Sequence, residues 1–295
     1  MHAAAPTRRA VIGGGAALLT AIAAAAPLAR ARAAMLDPQA VPPGPGAWQQ
    51  GGWMRAMVPP GTVSADLDGM PLAIAPDGAV FVGFDRDAPA TATLGLTDAA
   101  GRRSTMPLAI APGGWALEHI NTPLRPPGIP DADYVARRRV ETAAITRARQ
   151  PDPARPLVEG WRQTMIRPAP GRFSGRFGAQ RIYRGEPGAY HGGLDIAAGT
   201  GTPFVAPADG VVVLAAATPF TLEGRLLMLD HGMGLGSAFL HCSTHLVALG
   251  DRVRQGQPIG AVGMTGRATG PHLHWALAWQ SASGLRRLDP LLMLG

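Results

Sequence analysis

Gly270-Pro271-His272-Leu273-His274-Trp275 is the stretch on which the reading of this chain turns. On a β-strand, side chains alternate between faces. His272 and His274 then point the same way, and Leu273 points into a core. Two imidazoles side by side can bind a metal ion, or divide the work between a ligand and a proton carrier. Two ordinary surface histidines fit the same pattern, so the pair needs partners elsewhere in the chain.

Two further elements supply candidates. Tyr190-His191-Gly192-Gly193-Leu194-Asp195 places a histidine and an aspartate four residues apart, across a Gly-Gly turn that enters a strand. Such a turn lets an imidazole and a carboxylate converge on one ion, although His-x-x-x-Asp alone is a common accident. Phe239-Leu240-His241-Cys242-Ser243 puts a histidine near a strand end. Of eight histidines in the chain, six lie between 191 and 274, which concentrates the chemistry in the C-terminal part. His191, Asp195 and His274 would give two nitrogens and one oxygen, a set that suits catalytic zinc with a fourth position for water. Zinc lowers the pKa of that water and polarises a carbonyl, and a neighbouring histidine can serve as general base. His119 is isolated and reads as a structural histidine, as does His231 in Asp230-His231-Gly232; His245 reads as a surface residue.

Around these elements the pattern is mainly β. In a chain of 295 residues, 39 glycines and 29 prolines favour short strands and turns over a helical bundle. A hydrophobic content of 46% supports real cores. Apolar runs at Trp53–Val58, Met70–Ala75, Ala79–Phe84, Thr91–Thr97, Thr105–Ala111 and Trp115–Ile120, split by turn signals, predict a small antiparallel, immunoglobulin-like β-sandwich over residues 34–122. Residues 123–166 read as a proline-rich linker. It carries a helix capped by Asp131 or Asp133 that runs to about Gln150 as a connector across one domain, with Val140, Ala144 and Ala148 as its apolar stripe. Residues 167–295 read as a β-rich catalytic domain, with candidate strands at Leu194–Ile196, Gly210–Ala215, Leu226–Asp230, Ser237–His241, Pro258–Val262 and His272–Leu277.

Residues 1–33 read as a signal peptide: Arg8-Arg9, an Ala-rich run from Gly13 to Ala26, and small-x-small cleavage sites at Ala29–Ala33. The arginine pair is similar to a twin-arginine signal. All 27 basic residues are arginine against 20 acids, and loss of residues 1–33 lowers the formal charge from +7 to +3. A mildly basic mature chain suits an anionic wall or membrane surface. No arginine block is interleaved with aromatics, so nucleic acid is not an expected partner. Cys242 is the single cysteine, which excludes an internal disulfide and a cysteine-based zinc site.

The stretch from Gly175 to Pro290 resembles the lysostaphin/LytM family of zinc peptidoglycan endopeptidases. The resemblance rests on Arg176-Phe177-Gly178, His191-x-x-x-Asp195-Ile196-Ala197-Ala198, Gly201-Thr202-Pro203 and Ala206-Pro207-Ala208-Asp209-Gly210. It continues through Gly250-Asp251-Arg252-Val253, Gly256-Gln257-Pro258-Ile259-Gly260 and Thr265-Gly266 to Gly270-Pro271-His272-Leu273-His274. It implies a lysostaphin-type fold, a duplicated hybrid motif forming a β-sandwich or barrel. It further implies one Zn2+ held by His191, Asp195 and His274, with His241 and His272 as non-ligand catalytic residues. Gln180-Arg181-Ile182-Tyr183 and Gly185-Glu186-Pro187 are similar to a Gram-negative subgroup with an N-terminal β-domain. That subgroup implies a peptidoglycan substrate cut between D-Ala and meso-diaminopimelate, and a place in the periplasm or cell envelope. Some relatives have lost zinc ligands and act as wall-binding activators of amidases; here all five residues are present.

Overall fold

The computed structural model describes residues 34–35, 46–124, 131–282 and 284–295. The export signal read at 1–33, the proline-rich stretch 36–45 and residues 125–130 of the linker lie outside the described residues. Among the described residues no helix is long and apolar enough to cross a membrane.

Strands dominate. Before the helix come β1 (Ala34–Met35), β2 (Gly46–Ala47), β3 (Trp53–Met57), β4 (Thr62–Leu67), β5 (Met70–Leu72), β6 (Ala79–Gly83), β7 (Thr91–Asp98), β8 (Arg103–Ala109) and β9 (Leu117–Ile120). Helix α1 spans Asp131–Arg149. After it come β10 (Arg172–Gly175), β11 (Gln180–Tyr183), β12 (Glu186–Tyr190), β13 (Leu194–Ala197), β14 (Pro203–Val205), β15 (Gly210–Ala215) and β16 (Arg225–Gly232). The last are β17 (Leu235–Cys242), β18 (Thr244–His245), β19 (Arg252–Val253), β20 (Pro258–Ala261), β21 (His272–Ser281) and β22 (Gly284–Leu288).

The N-terminal strands form a five-stranded sheet in the order β1-β8-β7-β4-β5 and a three-stranded sheet β2-β3-β6. Alternation builds them: in β7 Ala92, Leu94 and Leu96 are buried while Thr91 and Thr93 face out, and Met106 and Leu108 of β8 point inward beside them. In β6 all five residues are buried, as in a strand covered on both faces. Strand β4 was not expected. Only Ala65 and Leu67 turn inward, and Val63 is exposed, so its apolar pattern is too thin to see.

The main C-terminal sheet has the order β10-β13-β21-β17-β16-β15-β19. Strand β21 is long enough to pair β13 along its first half and β22 along its second. The two halves of the chain share one hydrophobic core. Phe81 of β6 stacks on Trp53 and meets Trp279 of β21, and the Trp53 indole donates to the Leu292 carbonyl at 2.8 Å.

Two expectations are corrected. Strand β9, read as the last strand of the N-terminal sandwich, instead pairs in parallel with β11, in a sheet ordered β12-β11-β9. A pairing so distant in sequence leaves no local signal. In α1 the inward face is Glu141, Ile145 and Ala148, whereas Val140 is exposed. Ile145 and Ala148 pack on Leu226, Met228 and Ala238 of the main sheet. The Glu141 carboxylate accepts from the Thr221 backbone N–H and hydroxyl and from Arg138, which satisfies its burial. Acids in the first turn and arginines in the last complement the helix dipole.

Candidate metal centre

Register brings the candidate ligands together. Asp195 on β13 lies directly opposite His274 on β21, and His274 is also paired with Leu240 on β17. Leu273 between the two histidines is wholly buried, which fixes the face they share. His191 enters from the turn before β13. Gly193 in that turn allows the approach: a Cβ there would stand 2.7 Å from His274 Nε2 and 2.6 Å from the Trp275 carbonyl. Gly175 is constrained in the same way, since its Cβ would meet Asp195 Oδ2 at 2.5 Å.

Three donor atoms converge. His191 Nε2 is 2.9 Å from His274 Nδ1 and 3.0 Å from Asp195 Oδ1, and His274 Nδ1 is 2.8 Å from that same oxygen. All three residues are buried. The His191 Nδ1–H donates to the Arg176 carbonyl at 2.9 Å, which leaves its Nε2 with a lone pair aimed at the centre. Two ring nitrogens and a carboxylate oxygen so placed can share few protons, and they fit a divalent metal ion. A second hydrogen bond behind a ligand imidazole is the usual support of such a site.

Electrostatics favour the metal-ready forms. Burial alone would raise the Asp195 carboxyl, but its close contacts with the His191 and His274 rings hold it well below the usual range. Burial pushes His274 down to about 4, against the pull of Asp195, so the ring is neutral near pH 7.

The other two predicted histidines lie beside the three. The His272 Nδ1–H donates to the Gly270 carbonyl at 2.8 Å, and its Nε2 sits 3.7 Å from Asp195 Oδ1. The His241 Nδ1–H donates to the Thr265 carbonyl at 2.7 Å. The two rings are 4.8 Å apart, and each keeps Nε2 free of the carbonyl that holds it. Burial, with the neighbouring histidines, pushes His241 down to about 3. His241 also has a left-handed backbone, φ 65°, which costs a non-glycine residue about 1–2 kcal/mol.

The remaining histidines sort differently. His231 is wholly buried between the Asp209 carbonyl and the Ser237 hydroxyl, a structural role as expected. His245, expected at the surface, is half-buried on β18 and does not line the cleft. His119, read as a structural residue, is exposed and lines the cleft, because β9 is carried there by β11.

That cleft encloses about 620 Å³ beside Asp195, His274, His241 and His272, and its walls include Glu118, Tyr183, Glu223 and Arg267. Sequence reasoning missed Arg181 and Glu118. The Arg181 guanidinium donates to Asp195 Oδ2 at 2.8 Å and stands 3.4 Å from the Glu118 carboxylate. No spacing rule links residues 118 and 181; the β9–β11 pairing sets them opposite each other.

Comparison with known proteins agrees with this geometry. Residues 189–286 match peptidase family M23. The peptidoglycan DD-endopeptidase ShyA of Vibrio cholerae is 44% identical over 30% of this chain and 20% of its own length. ShyC of the same organism, also a peptidoglycan DD-endopeptidase, is 41% identical over 35% of this chain and 24% of its own length. The chain thus spans a quarter or less of these two relatives. A crystal structure from Pseudomonas aeruginosa described as an M23 peptidase is 27% identical, with a TM-score of 0.61, over 84% of this chain and 95% of that one. The clustering of His191, Asp195 and His274, the match over residues 189–286 and the likeness in fold agree, and residues 189–286 carry a domain of the peptidase M23 type.

Proposed function

We propose that this protein is a zinc endopeptidase that hydrolyses the peptide cross-links of bacterial peptidoglycan. The observation that carries the reading is the convergence of His191 Nε2, His274 Nδ1 and Asp195 Oδ1 within 3.0 Å of one another, beside a cleft that Asp195 and His274 line. Two nitrogens and one oxygen are a catalytic zinc set. In this reading residues 167–295 are the catalytic domain, residues 34–122 are a β-sandwich domain except for β9, which joins the catalytic side, and residues 123–166 link them.

Bound to the three ligands, the ion supplies Lewis acidity, activating a water and polarising the scissile carbonyl. The chain's own residues do the rest. His241 and His272, each tied by its Nδ1–H to a carbonyl, offer Nε2 as a proton acceptor to the attacking water. A ring that has taken the proton becomes a donor. It can then stabilise the oxyanion of the tetrahedral intermediate or protonate the departing amine. The cleft walls orient the substrate strand.

The names of the relatives, DD-endopeptidases, support a bond between two D-configured centres, and the D-Ala to meso-diaminopimelate cross-link is the one we propose. Such a substrate lies outside the cytoplasmic membrane. The signal read at residues 1–33 accords with a periplasmic or envelope location. Digestion of purified sacculi with the zinc-loaded protein should release cross-link fragments with a new amine and a new carboxylate, seen by mass analysis, and His191→Ala should release none. A wild-type protein that binds zinc and sacculi but releases nothing would favour a non-catalytic activator of amidases instead.

A further inference from the structure

The Asp195 carboxylate divides its two oxygens. Oδ1 faces His274 Nδ1 at 2.8 Å and His191 Nε2 at 3.0 Å, while Oδ2 receives the Arg181 guanidinium at 2.8 Å. A carboxylate free to rotate can offer a metal one oxygen or two. One held by its second oxygen offers one. Arg181 is placed for this by β11, and the strand register sets Glu118 of β9 directly beside it, with 3.4 Å between Arg181 Nε and Glu118 Oε2. Both side chains are largely shielded from solvent, at 21% and 26% exposure, so their charges are felt at the site.

An arginine next to a dication would ordinarily weaken metal binding by repulsion. Glu118 removes that objection. The row Glu118–Arg181–Asp195 carries a net charge of −1, the same as Asp195 alone. The guanidinium can therefore orient the ligand without cancelling its charge. Both residues lie outside the matched segment 189–286.

We propose that Arg181 is a positioning residue that holds Asp195 as a one-oxygen metal ligand, and that Glu118, from the strand ahead of α1, neutralises Arg181 in place. The assignment rests on the metal-centre reading above.

Cobalt titration of the full chain tests it, with the visible absorption of bound Co2+ and its affinity by chelator competition as readouts. Arg181→Ala should weaken binding about 10–100-fold and reduce the intensity of the cobalt bands as the coordination number rises. Arg181→Lys should restore part of both. Glu118→Gln, which keeps the shape but leaves the guanidinium uncompensated, should weaken binding in the same direction. Affinity and spectrum in Arg181→Ala equal to wild type would overturn the assignment while leaving the metal centre intact, provided His191→Ala abolishes binding. Arg181→Lys behaving like Arg181→Ala would overturn the orienting role. A wild-type chain that binds cobalt no better than His191→Ala would overturn the metal centre, and this assignment with it.

Discussion

Asp195 and His274 face each other across neighbouring antiparallel strands, with His274 Nδ1 2.8 Å from Asp195 Oδ1. Strand register therefore sets the distance between two candidate ligands, and His191 is added from an adjoining turn. In the proposed function the residues that hold an ion and those that move a proton are separate sets, and they should separate in mutants. His191→Ala, Asp195→Ala and His274→Ala should lose both metal and activity. His272→Ala and His241→Ala should keep the metal stoichiometry while turnover falls about 10²–10⁴-fold. Metal analysis alongside muropeptide release distinguishes the sets; a His272→Ala enzyme with near-normal turnover would remove it from the mechanism.

The left-handed backbone of His241, at φ 65°, gives a second expectation. Alanine and glycine there should lower turnover to the same extent, but the glycine variant should be the more stable by about 1 kcal/mol, because it relieves the Cβ clash. Urea denaturation of the two variants checks this. An alanine variant as stable as the glycine one would mean that the conformation is not strained.

His231 should make the protein acid-sensitive independently of its active site. Burial holds the folded imidazole neutral below its ordinary 6.5. The unfolded chain takes up a proton near that value, so below it the unfolded state binds more protons. Stability is then lost as the pH falls through about 6.5 toward the lower folded value, and is independent of this group above about 7.5. His241 and His274 are depressed as well, so the comparison must be between wild type and His231→Asn. The variant should be less stable at pH 7.5, yet lose less Tm between pH 7.5 and 5.5. Parallel curves would exclude His231 as a contributor.

Cys242 is buried, and that burial pushes its thiol up to about 12. Thiolate is the reactive form, so the native protein should resist thiol reagents for as long as it stays folded. One equivalent should react promptly in denaturant. Prompt labelling of the native chain would show that the strand end opens readily.

The parts of this architecture that were legible in the sequence are those specified over short distances. The His272-Leu273-His274 alternation, the Gly192-Gly193 turn and the α1 boundaries each depend on neighbours a few residues away, and each appears where it was read. The four candidate histidines and Asp195 gather at one place, four of the five lining the cleft and His191 buried against them, although joining them drew on likeness of motif as well as on spacing. What could not be read depends on distant pairing. Strand β9 looked like part of the N-terminal sandwich because its true partner, β11, is some sixty residues on. His119, Glu118 and Arg181 were misjudged or missed for the same reason. The inward face of α1 was misread at Val140 because a charged residue, Glu141, occupies the buried position, its cost offset by Thr221 and Arg138.

The parallel pairing of Leu117–Ile120 with Gln180–Tyr183 has an evolutionary corollary. Under the proposed function, one jaw of the cutting tool is made from a length of chain that carries none of the blade. Insertion or exchange ahead of residue 122 could reshape what the jaw admits while the histidines and aspartate stay as they are. Diversity in wall architecture among bacteria could then be met by changing the grip and sparing the edge.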